Sequence, residues 1–249
     1  MNTMALSGYL NSLFRVQDIQ DTSLNGLQVE NDGNVSRVGL AVDISQTLIE
    51  KAHEAGVDFL IVHHGLFWGK PIPVTGPLYR RIRSLMEYNI ALYAIHLPLD
   101  VHPELGNNAQ IQMVLDWNVG EDIVQDGISL GKEIVFDPPK ELSGLVRDLR
   151  TGLDFDPKVW NFGPRTVSRA AFISGAGIRF LDHIAASGIH TLVTGEPRHD
   201  AYWMARELEL NVILAGHYAT ETLGVQAVGN HLKEKFGLAS CFIDLPTGY

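Results

Sequence analysis

Short apolar runs alternate with helix-periodic stretches along most of the chain. Residues 38–42 predict a strand, and 46–55 a helix with Leu48, Ile49, Ala52 and Ala55 on one face. Residues 57–62 predict a strand that is apolar throughout, 77–88 a helix, and 90–95 another apolar strand. The scheme returns later, with strands at 170–173, 189–193 and 212–215 separated by helices at 178–186 and 200–208. Strands apolar on both faces and joined by helices indicate an α/β fold of mostly parallel sheets flanked by helices. The stretch 120–151 breaks the pattern with Gly, Pro and short alternations at Ile128, Leu130, Ile134 and Phe136, and reads as a domain junction.

The two patterned regions look like copies, an internal repeat giving two similar α/β units. Gly56-Val-Asp-Phe-Leu-Ile-Val62 aligns with Gly188-Ile-His-Thr-Leu-Val-Thr194, which sets His63-His64 against Gly195-Glu196. Further on, His96-Leu-Pro-Leu-Asp100 aligns with His217-Tyr-Ala-Thr-Glu221. Apolar packing does not require polar residues at matching strand ends, so the match points beyond shared α/β physics. The expected division is 1–124 with 217–249 as a metal-binding domain and 125–216 as a second α/β domain, with the site at their interface.

Composition narrows the function classes. The 249 residues carry 19 Lys and Arg against 29 Asp and Glu, so a net charge of −10 gives no overall attraction for phosphate backbones. Charged residues make up 19% of the chain, which suggests that apolar surface is covered by another subunit. The single cysteine, Cys241, excludes an intramolecular disulfide and any CxxC metal or redox pair. The first residues have no basic segment followed by an apolar one, and the apolar runs are strand-sized, so the expected setting is cytoplasmic with no membrane partner.

In parallel α/β sheets ligands sit beyond the carboxyl ends of the strands. Asp43, His63-His64, His96 to Asp100, Gly195-Glu196 and His217 to Glu221 all fall there. Adjacent His63 and His64 diverge, which suits one ligand for each of two metals. His217 and Glu221 share a helix face continued by Val225, Val228, Leu232 and Phe236, so Glu221 points toward the core. An ionised carboxylate there needs a partner, either a metal or a helix N-terminus that it caps. Three imidazoles and two carboxylates, His63, His64, Asp100, His217 and Glu221, form a plausible shell for two divalent ions. Nitrogen and oxygen donors without thiolate suit Zn²⁺, Fe²⁺, Mn²⁺ or Ni²⁺. Such ions can hold a bridging water as a nucleophile.

The segments Asn25-Gly-Leu-Gln-Val29, Val42-Asp-Ile-Ser45, Phe59-Leu-Ile-Val-His-His-Gly65, His96-Leu-Pro-Leu-Asp100, Gly106-Asn-Asn108, Thr194-Gly-Glu196 and Gly216-His-Tyr-Ala-Thr-Glu221 occur together along the chain. In combination they resemble the NIF-three-like (YbgI-type) family, homologues of a type 2 GTP cyclohydrolase I. The resemblance implies the NIF-three-like fold, the same five metal ligands, and a toroidal homohexamer with the metal sites facing an internal cavity. A His-His doublet is frequent in the family after Thr-Gly-Glu, whereas Arg198-His199-Asp200 stands here, which leaves the role of His199 open. The chain lacks the extra inserted domain of longer members.

Glu196 stands where His64 stands in the first copy, and is either a general acid or base or a structural hydrogen-bonding group. His96, the repeat partner of His217, is a candidate catalytic residue supporting the metal shell from outside it. The glycine-rich phosphate loops GxxxxGK[ST] and GxGxxG are both absent, so nucleotide phosphates would have to meet the metals or cavity-wall Arg and Lys. The expected function is a dinuclear-metal hydrolase acting on a small nucleotide-like or pterin-like molecule. The alternatives are a non-enzymatic protein that binds and delivers divalent metal, and a toroidal nucleic-acid-binding protein, which the negative charge disfavours.

Overall fold

The computed structural model describes residues 1–249. The chain divides into two compact units, Met1–Leu105 with Gly224–Leu245, and Gly106–Leu223 with Pro246–Tyr249. No helix is long and apolar enough to cross a membrane.

The first unit runs α1 (Thr3–Leu13), β1 (Gly26–Val29), β2 (Arg37–Asp43), α2 (Gln46–Glu54), β3 (Phe59–His64), α3 (Gly76–Glu87), β4 (Ala91–Ala94) and α4 (Leu97–Asp100). β11 (Ala239–Phe242) completes its sheet, in the order β1-β4-β3-β2-β11. β4, β3, β2 and β11 are parallel, and β1 pairs antiparallel to β4 at the edge. Successive side chains of β3 leave opposite faces of the sheet. Phe59 and Ile61 meet Leu6, Leu10 and Phe14 of α1 and Val225, Val228 and Leu232 of α9 (His217–Phe236). Leu60 and Val62 meet Leu48, Ile49 and Ala52 of α2 and Leu85 of α3. A strand packed on both faces has no place for a polar residue without a partner, and β3 stays apolar until its last two residues, the buried His63 and the half-buried His64. Side-chain caps define two helix starts: Asn2 accepts from the amides of Met4 and Ala5, and Ser45 accepts from that of Leu48.

The second unit runs α5 (Asn107–Leu115), β5 (Asn118–Gln125), β6 (Ile128–Glu141), α6 (Leu142–Gly152), β7 (Lys158–Asn161) and β8 (Thr166–Ile173). A short 3-10 turn at Gly177–Phe180 then leads into α7 (Leu181–Ala186), β9 (Thr191–Thr194), α8 (Ala201–Glu207) and β10 (Asn211–Leu214), and the first turns of α9 follow. The sheet order is β5-β6-β8-β9-β10-β7. β8, β9 and β10 are parallel; β5, β6 and β7 pair antiparallel. α7 and α8 cover one face through Leu181, Ile184, Ala201 and Ala205, while Ile111 of α5 and Leu145 and Leu149 of α6 cover the other.

Two expectations need correction. The sheets are mixed, and in the second unit antiparallel pairs outnumber parallel ones. The stretch 120–151 is a long β-hairpin followed by a helix, not a junction. Its alternating residues Ile134 and Phe136 pack with Trp117, Leu145 and Leu149, so hairpin and helix belong to the second core.

Candidate metal centre

In the first unit, the carboxyl ends of β2, β3 and β4 bring four of the candidate residues together. The register sets Asp43 of β2 beside His64 of β3. His63 is fully buried; its Nδ1 donates to the carbonyl of Ile95 at 2.8 Å, and its Nε2 lies 3.6 Å from Asp100 Oδ2. His64 donates from Nδ1 to Asp43 Oδ1 at 2.8 Å. His96 leaves β4 and donates from Nδ1 to both oxygens of Asp21 at 3.0 Å. A carbonyl or carboxylate can only accept, so each ring keeps a proton on Nδ1 and turns Nε2 away from that anchor. One nitrogen from each of the three rings lies within 4.8 Å of the others. Metal-binding histidines are arranged in this way, with the outer nitrogen tied to an acceptor that sets ring orientation.

Sequence reasoning did not single out Asp21, although it sits deeper than any other acid at these strand ends. Its side chain is 2% exposed. Burial alone would raise its pKa, but hydrogen bonds from His96, Asn25 and the Ser23 amide outweigh that and hold the carboxyl well below its usual range. Asn25, in the quoted Asn-Gly-Leu-Gln-Val segment, also accepts from the His96 amide at 2.7 Å.

In the second unit, the ends of β9 and β10 bring together the other three candidates. His217 opens α9 directly after β10. Its Nδ1 lies 3.1 Å from Glu196 Oε2 and its Nε2 3.1 Å from Glu221 Oε1. Glu221 is buried, as its helical spacing predicts, at 3% exposure. Burial of the His217 ring lowers its pKa, but the hydrogen bonds and charges of Glu221 and Glu196 outweigh this and push it up to about 9. An imidazole gripped by two carboxylates is driven to its cationic form, so this pocket favours positive charge. Glycines let the chain close around it. A Cβ at Gly195 would stand 2.6 Å from His217 Cα, and one at Gly175, whose φ is +58°, would collide with Glu221. The Gly175 amide donates to Thr220 Oγ1 at 3.0 Å, fixing that turn against the start of α9.

The donors present thus fit divalent ions: imidazole nitrogens oriented by acceptors in one unit, and a carboxylate-rich, cation-favouring cluster in the other. His199 is placed elsewhere, beside a cleft of about 390 Å³ with Trp160, Arg198, Tyr202 and Trp203.

A protein-family model described as Duf34/NIF3 (NGG1p interacting factor 3) matches residues 1–247. The "GTP cyclohydrolase 1 type 2 homolog" of Pyrococcus horikoshii is 41% identical over 250 residues, covering 100% of both chains. Among solved structures, protein ybgI, of unknown function, matches with a TM-score of 0.94 at 35% identity, over 100% of both chains. TTHA1606 from Thermus thermophilus matches with a TM-score of 0.92 at 42% identity, again over 100% of both.

Proposed function

Because the chain belongs to the Duf34/NIF3 family, we propose that it is a dinuclear-metal-dependent hydrolase whose ions are bound by His63, His64, Asp100, His217 and Glu221. The observation that carries this reading is the trio of strand-end imidazoles, each with Nδ1 committed to an acceptor and with nitrogens within 4.8 Å of one another. Divalent ions in such surroundings supply Lewis acidity and a water that ionises near neutral pH.

The protein's own groups handle orientation and protons. Ile95 and Asp43 orient His63 and His64. Glu196 orients His217 through Nδ1, and Glu221 places a second negative charge at Nε2. Glu196 and His96 are the groups within the two clusters suited to accept or return a proton during hydrolysis. The name of the Pyrococcus relative supports a nucleotide-like or pterin-like substrate. The matching strand orders β1-β4-β3-β2 and β7-β10-β9-β8 support an origin of the two units by duplication. A charged fraction of 19% supports assembly into a closed homo-oligomer, a hexamer, which light scattering would test.

Purification without chelator, elemental analysis and a hydrolysis screen over nucleotides, damaged nucleotides and pterins test the activity. The expected result is about two ions per chain and a turnover that chelation abolishes and metal restores. Protein that binds no Zn²⁺, Mn²⁺ or Fe²⁺ on reconstitution would overturn the metal assignment. Readily exchanged metal without any turnover would overturn the hydrolase and favour metal delivery.

A further inference from the structure

We propose that Asp21, steadied by Asn25, is a positioning residue that fixes the orientation of the His96 ring and keeps a proton on its Nδ1, so that Nε2 is the nitrogen offered to the His63–His64 cluster. What that nitrogen does in turnover rests on the hydrolase reading above; the positioning itself does not.

Four donors converge on the Asp21 carboxylate: His96 Nδ1 at 3.0 Å, Asn25 Nδ2 at 2.9 Å, and the amides of Ser23 at 3.1 Å and Leu97 at 3.0 Å. They come from several directions onto a group that is almost completely enclosed, so the carboxylate has neither room nor reason to rotate. Asn25 reaches the same histidine from the other side, its Oδ1 accepting from the His96 amide. One short segment thus holds both the ring and the backbone of His96, and the Leu97 amide ties the next residue to the same oxygen. The His96 ring stands 5.1 Å from that of His63, 5.5 Å from that of His64 and 4.8 Å from that of Trp68, centre to centre. Asp43, the corresponding partner of His64, is 44% exposed and has room to move. The most enclosed carboxylate therefore serves the imidazole that the five-ligand scheme leaves out. That distribution suits a ring whose orientation must be fixed without a metal bond to aim it.

The test is long-range ¹H–¹⁵N correlation spectroscopy on ¹⁵N-labelled, metal-free protein. His96 should show a protonated Nδ1. In Asp21→Ala the Nδ1-protonated population should fall, because no acceptor remains at the ring, while circular dichroism and metal content stay at the wild-type level. A purely structural Asp21, serving only the Ser23 and Leu97 amides, would leave the tautomer unmoved. Wild-type His96 carrying a proton on Nε2 alone, or an unchanged tautomer in Asp21→Ala, would overturn the proposal. If Asp21→Ala does not fold, the wild-type spectrum still decides, with Asn25→Ala expected to weaken the Nδ1 preference. Where hydrolysis is found, Asp21→Ala should lower kcat about 10–100-fold with KM little changed. A wild-type protein without hydrolysis would sink the hydrolase reading and leave the tautomer result to stand or fall alone.

Discussion

The two units share a four-strand core order, β1-β4-β3-β2 in one and β7-β10-β9-β8 in the other, yet their strand ends carry opposite chemistry. In the first, the ends of β3 and β4 present three imidazoles, each anchored at Nδ1. In the second, the equivalent ends present one imidazole between two carboxylates, with glycines at 175 and 195 where the chain must pass close to the helix. The interior of a parallel core constrains only shape and apolarity, so it tolerates repetition. Polar residues at the strand exits escape that constraint and can diverge. His96 and His217 illustrate this: both follow a central strand and both donate from Nδ1 to a carboxylate, but His96 takes its partner from the segment before β1 and His217 from the end of β9.

If the carboxylate-rich side supplies the charge that offsets metal ions, its loss should have the largest effect. Glu221→Gln keeps the shape and should reduce metal affinity more than about 100-fold and abolish any hydrolysis, with circular dichroism unchanged. Wild-type metal affinity in this variant would break the assignment of Glu221 as a ligand. Gly175→Ala should come next. Its left-handed backbone and the contact with Glu221 together should lower stability by about 1–3 kcal/mol in denaturant melts and weaken metal binding by displacing that carboxylate.

Smaller effects should fall on the imidazole-rich side. Asp43→Asn leaves His64 in place but loosens its orientation, and should cost about 10-fold in metal affinity by competition with a chromophoric chelator. His96→Ala should leave metal content close to wild type by elemental analysis and lower turnover, if any is found. Loss of metal in His96→Ala comparable to that in Glu221→Gln would erase the distinction between the two sides and make His96 a ligand.

Much of this was legible in the sequence because the central strands are buried on both faces. Residues 59–62 and 191–193 can be little else than core strands, and the first polar residues after them mark the site. Glu221 was legible from its helical spacing to Val225, Val228 and Leu232. The hairpin of β5 and β6 was not, because most of its side chains are exposed or half-buried and its alternation is diluted by Gly and Pro. β1 is only four residues long and follows an irregular segment, so no period is established. Asp21 was invisible for a different reason: its partner His96 lies 75 residues away, and no local pattern distinguishes a carboxylate that reaches across the sheet edge from one that faces solvent.

The enclosure of Asp21 also has a consequence for amide hydrogen exchange. The Ser23 amide lies in an irregular stretch outside any helix or strand, and the Leu97 amide opens a helix of four residues. Amides in such positions ordinarily exchange with solvent deuterium quickly, since no ladder or long helix protects them. Here both donate to one buried carboxylate, so both should exchange slowly and together. Two unusually protected amides, 74 positions apart in the chain, would thus report whether a single side chain is in place, with no ligand or substrate needed.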